Sequence, residues 1–144
     1  MTTPICFLVP GTPVSFQSRR EAVRQWKEKV ASVARTHVSE PNDDSEFAVS
    51  ITHFYRAPPR CDTDNMAKPI CDALNNVIYR DDWQVIERVA RRIPMDRSFS
   101  LWGMPPELAL ALCAGDDFVY IRIARVRSMT LCAAWDRSKL VSAW

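Results

Sequence analysis

"DTDNMAKPICDALNNVIYRDDWQV", Asp62 to Val85, decides how this chain folds. Met66, Ile70, Leu74 and Val77 are spaced four, four and three apart, which marks one face of an amphipathic helix. Before it, "FAVSITHFYR" (Phe47 to Arg56) is rich in β-branched and aromatic residues and is stopped by Pro58 and Pro59, which predicts a strand. After it, "WQVIERVARRI" predicts another strand, with Val85, Glu87, Val89, Arg91 and Ile93 on one side. Strand, helix and strand in that order form a crossover unit. Asn75 and Asn76 suit the helix C-terminus, because Asn tolerates the left-handed conformation. Pro69 falls in the first turn or two, close to where proline is tolerated.

The same reading extends outward. "ICFLV" (Ile5 to Val9) is a short apolar strand closed by Pro10 and Gly11. "SRREAVRQWKEKVASVART" is a helix with Val23, Trp26, Val30 and Val33 on its apolar face and basic residues on the rest. Ser18 followed by Glu21 predicts a capping box. "PPELALALCAG" predicts a short helix, with proline in its first turn and Gly115 past its end. "FVYIRIARV" (Phe118 to Val126) predicts the last strand. This order points to an α/β (α+β) single domain, a small mixed sheet flanked by helices. The domain spans residues 1–126, and 127–144 form a C-terminal tail without a clear period.

Composition agrees. The chain has 144 residues, 47% hydrophobic and 25% charged, so one globular domain can bury a core without cross-links. No apolar run approaches a membrane span. "ICFLV" lacks a basic segment before it and is not a signal peptide, so the cytoplasm is the expected compartment. Five cysteines at irregular spacing, with no C-x-x-C pair, read as free thiols. The net charge of +2 says little. Its distribution says more: basic residues cluster at Arg19 to Arg35, at Arg88 to Arg97 and from Arg122 to Lys139, and such clusters either follow a phosphate backbone or are solvated faces.

The polar residues of the opening stretch admit two readings. Asp62 or Asp64 can be a helix N-cap, Lys68 and Asp72 a surface pair one turn apart, and Asp81-Asp82 a turn. Alternatively, Asp62 and Asp64 point the same way at the strand–helix junction, and Asp64, Lys68 and Asp72 share one stripe. With the helix antiparallel to its flanking strands, Asp82 is expected back at the Asp62 end, so that three or four carboxylates meet. Crowded carboxylates call for a cation, and magnesium needs only one or two of them plus water and substrate phosphate.

The pattern D-x-D-N-x-x-K, then D-x-L-N, then D-D-x-Q-V closely resembles the signature of the RusA family of Holliday junction resolvases. The resemblance implies a RusA-like fold and a magnesium-dependent endodeoxyribonuclease that acts as a homodimer on four-way DNA junctions. It implies that Asp62, Asp64 and Asp82 bind the metal and that Lys68 is catalytic. Asp81 ranks lower as a helper, and Asn65 and Asp72 serve to hold the geometry. Asn76 stands where the family often has glycine. The alternatives are a structure-selective DNA-binding protein without catalysis, and a metal-dependent nuclease for other branched or single-stranded DNA. His37 and His53 are too far from the motif to be a base, and His53 is expected to be packed. Trp83, beside Asp82, is the one aromatic that could stack on an unpaired base.

Overall fold

A computed structural model of the chain describes residues 3–42, 44–59 and 61–126. The expected tail, 127–144, lies outside the described residues. The elements run β1 (Ile5–Pro10), α1 (Arg20–Arg35), β2 (Glu46–Tyr55), α2 (Thr63–Leu74), β3 (Val85–Pro94), α3 (Pro106–Ala114) and β4 (Phe118–Val126). The order and type match the sequence expectation throughout. One sheet holds the four strands in the order β1-β4-β2-β3. β4 is antiparallel to both β1 and β2, and β2 is parallel to β3, so the α+β mixed sheet is confirmed.

Both faces of the sheet are covered, because its strands alternate between two apolar sets. Phe7, Val9, Phe47, Val49, Ile51, Val119, Ile121 and Ile123 meet Trp26 and Val30 of α1 and Met66, Ile70 and Leu74 of α2. On the opposite face Phe54, Phe118 and Tyr120 pack with Leu108 of α3. No helix among the described residues is long and apolar enough to cross a membrane.

Three local expectations are corrected. The capping box of α1 does not form: Arg19 is the N-cap and makes no side-chain cap bond. Ser18 instead turns back, its N–H donating to Ser15 O at 2.9 Å, and Glu21 holds Arg24 at 2.6 Å. At the end of α2 only Asn76 is left-handed, with φ 59°, while Asn75 is extended. In β3, a bulge opposite Phe47/Ala48 pairs Phe47 with Val85 and Ala48 with Glu87, leaving Ile86 as the extra residue. Val85 therefore lies on the α1/α2 face with Phe47, apart from Glu87, Val89, Arg91 and Ile93. Arg88, level with Val49, shares that helix-covered face.

Pro69 is the seventh residue of α2 and cannot donate to Asn65 O. That carbonyl accepts the Phe16 N–H instead, at 2.9 Å. The helix is thereby tied to the loop that leads into α1.

His53 is buried in β2, as expected for a packed residue. Its Nε2 donates to Asp117 Oδ2 at 3.2 Å, and its Nδ1 has no hydrogen-bond partner. Burial lowers its pKa, and the opposing pull of Asp117 does not offset that. A folded-state pKa below the unfolded one means that stability is complete above about pH 6.5 and declines as the pH falls below it. Urea unfolding at pH 7 and pH 5 should show this loss. His53→Asn should flatten the difference; an unchanged slope would show that another group causes it.

Candidate active site

The N-terminus of α2 holds Asp62 and Asp64. Asp62 is the N-cap, and Asn65 takes both of its oxygens: Asn65 N–H donates to Oδ1 at 2.7 Å and Asn65 Nδ2 to Oδ2 at 3.1 Å. Asp64, in the first turn, is exposed and makes no side-chain hydrogen bond or ion pair among the described residues. One turn on, Lys68 Nζ donates to Asp72 Oδ1 at 2.7 Å, across i,i+4.

Asp82 enters from a separate device. The chain turns into β3 through a 3₁₀ turn at Asp82–Gln84, capped by Asp81, whose carboxylate accepts the Trp83 N–H at 3.3 Å. Gln84 is buried and fully used. Its Oε1 accepts Arg80 N–H and Asp81 N–H at 2.9 and 3.1 Å. Its Nε2 donates to Asn42 O and Ser45 O at 3.0 and 2.9 Å. The turn is thus pinned to the chain that enters β2, and the Asp82 carboxylate faces outward without a partner among the described residues.

Lys68, Cys71, Asp72, Asp82, Val85, Ile86 and Arg88 line one cavity of about 310 Å³ between α2 and β3. The structure brings Lys68, Asp72 and Asp82 together, and adds Arg88. It does not bring Asp62 to them, and the physical reason is topological. β2 and β3 are parallel, so α2 must run back along them. Arg92 Nη1 donates to Cys61 O at 2.9 Å, whereas Arg88 shares the cavity with Cys71. An antiparallel helix therefore carries Asp82 to the Asp72 end of α2, not to the Asp62 end. Its 12 residues span about 18 Å. Among the described residues no three carboxylate, imidazole or thiol groups are close enough to hold one ion.

Of the second basic cluster, only Arg88 reaches this cavity. Arg91 is spent on Ser50 Oγ and Thr52 Oγ1 at 3.0 and 3.4 Å on the other face, where burial lowers its pKa. Arg92 holds Cys61 in place. The first cluster is better placed. A groove of about 630 Å³ between α1 and α2 is lined by Phe16, Arg20, Arg24, Lys27, Arg35 and Asp72, among others. Asp72 borders both cavities. Cys71 is buried, which pushes its thiol pKa up and disfavours the thiolate.

The model of the family "endodeoxyribonuclease RusA" matches residues 16–100, more than half of the chain. The chain belongs to the RusA family. It is therefore an endodeoxyribonuclease, a hydrolase of the kind that resolves Holliday junctions. No curated protein matches it. The RusA match takes in α1, β2, α2 and β3 and leaves out β1, α3 and β4.

Sequence reading saw two participants only in part. Gln84 was visible as the Q of the RusA motif, but its buried bonds were not. Arg88 was visible as one of the Arg88 to Arg97 basic cluster, but strict alternation along β3 hides the bulge that turns it toward α2. Replacing Gln84 by Leu strips two N–H donors and two carbonyls of their partner, and should destabilise the chain by roughly 2–3 kcal/mol. Nuclease activity measured well below the unfolding temperature should fall as well, since the turn aims Asp82. Full activity in that variant would show that the turn does not depend on Gln84.

Proposed function

We propose that this chain is a magnesium-dependent endonuclease that resolves four-way DNA junctions by paired nicks, as a homodimer, in cytoplasmic recombination and repair. The observation that carries this reading is the α2–β3 cavity, where the free Asp82 carboxylate sits beside Lys68 and Arg88 in a chain of the RusA family. Hard carboxylate oxygens without protein partners suit magnesium, which takes few protein ligands and keeps water and phosphate. Asp82 would be its donor in this cavity, whereas Asp64 and Asp62, toward the other end of α2, lie outside the cavity lining. Bound there, the ion supplies Lewis acidity toward the phosphodiester and lowers the pKa of a water.

The chain's own residues do the rest. Lys68, resting on Asp72, can turn its ammonium to a phosphate oxygen on which charge develops. Arg88 holds the phosphate at the cavity wall. Arg20 and Lys27 track the backbone along the α1 groove, a contact that positions DNA without reading its sequence. A junction offers two symmetric cut sites, and a two-fold dimer supplies two centres.

A synthetic four-way junction with magnesium tests this. Symmetric paired nicks, abolished by chelation, are expected. Asp82→Asn should abolish cutting while junction binding persists, and Lys68→Ala should slow cutting by roughly a hundredfold. Binding without any cutting would favour a non-catalytic DNA-binding protein, and normal cutting by Asp82→Asn would overturn the site. Asp62→Asn separates its two roles, because Asn caps a helix as well as Asp does. Loss of cutting with unchanged melting would give Asp62 a part in catalysis beyond its cap.

A further inference from the structure

We propose that Trp83 and Ile86 form a base-binding lip on the α2–β3 cavity, with Trp83 stacking on an unpaired base next to the cleaved phosphodiester. The inference rests on the reading of that cavity as the nuclease site. Trp83 is 68% exposed and Ile86 52% exposed, although both sit in well-anchored backbone. Trp83 lies inside the 3₁₀ turn, its N–H held by Asp81 and its neighbour Gln84 held on both sides. Ile86 is the residue that the bulge expels from the β2–β3 ladder, and it lines the cavity with Lys68, Asp82 and Arg88.

An indole held out from the surface by a fixed turn gains no burial energy from the chain itself. A nucleic-acid base would supply that burial. Aromatic rings beside cations are what single-stranded segments require, since every base has a stacking face. An aliphatic side chain at such a position acts as a wedge between base steps. The other exposed large apolar groups after β3, Leu101, Trp102 and Leu110, line no part of this cavity. The cations Lys68 and Arg88 on the same cavity favour a nucleic-acid base as the occupant of the lip. It selects branched or frayed DNA over continuous duplex, where no base is free to stack.

The test uses the whole chain and a four-way junction carrying 2-aminopurine beside the cut site. Binding is followed in chelator by fluorescence, and cutting is followed in magnesium. Wild type should raise the 2-aminopurine signal or shift it on binding. Trp83→Ala should lose that change and weaken binding roughly ten- to a hundredfold, and Trp83→Phe should restore both. Sedimentation and thermal melting should be the same for all three. Three results would overturn the inference: unchanged emission and cutting in Trp83→Ala, rescue by Leu as complete as by Phe, or a Trp83→Ala chain of altered mass, which would place the ring in a protein interface. A wild-type chain that cuts normally alongside an inert Trp83→Ala change sinks only the lip. A wild type that neither binds nor cuts branched DNA sinks the reading of the cavity as well.

Discussion

The parallel pairing of β2 with β3 governs everything around the site. Parallel neighbours cannot be joined by a tight turn, so the chain between them must cross back over the sheet. α2 is that crossing, and its apolar stripe of Met66, Ile70 and Leu74 is what holds it down. The opposite stripe, with Asp64, Lys68 and Asp72, is left at the surface by the same constraint. The direction of the crossing also fixes which polar groups can meet. Lys68 and Asp72 face the start of β3, and Asp62 is kept at the other end of the helix.

The arrangement sets stability against chemistry. Asp62 is engaged by Asn65 and stabilises the helix start, a contribution of about 1 kcal/mol for a good N-cap. Asp64 and Asp82 contribute nothing of that kind, having no partner among the described residues. The structure instead spends its buried hydrogen bonds one step away, on Gln84 and Asp81. The turn is rigid and the carboxylate it carries is free.

Much of this was legible in the sequence. Every strand and helix followed from apolar spacing and from proline and glycine punctuation, and the α2 motif named the family. What was not legible depends on contacts between distant residues. The capping box at Ser18 failed because Glu21 had a better partner in Arg24 and Ser18 was drawn into a turn. The bulge at Ile86 is invisible to a period-two reading, and it decides that Arg88 rather than Glu87 faces α2. The expected meeting of Asp62 with Asp82 followed from the wrong end of a correctly predicted crossover. Spacing gives the elements, but the direction of each element gives the site.

The strand order has a consequence for how the molecule assembles in time. β1 precedes the other described strands in the chain, yet among the described residues its only partner in the sheet is β4, more than a hundred residues later, with Ile5 opposite Ile123. β4 must slot between β1 and a β2–β3 pair that the α2 crossover can already have built. Such distant pairing slows folding and leaves strand edges open in the meantime. The nuclease motif can thus be in place on a half-finished sheet. Completion of that sheet waits on the strand that follows all the site residues in the chain.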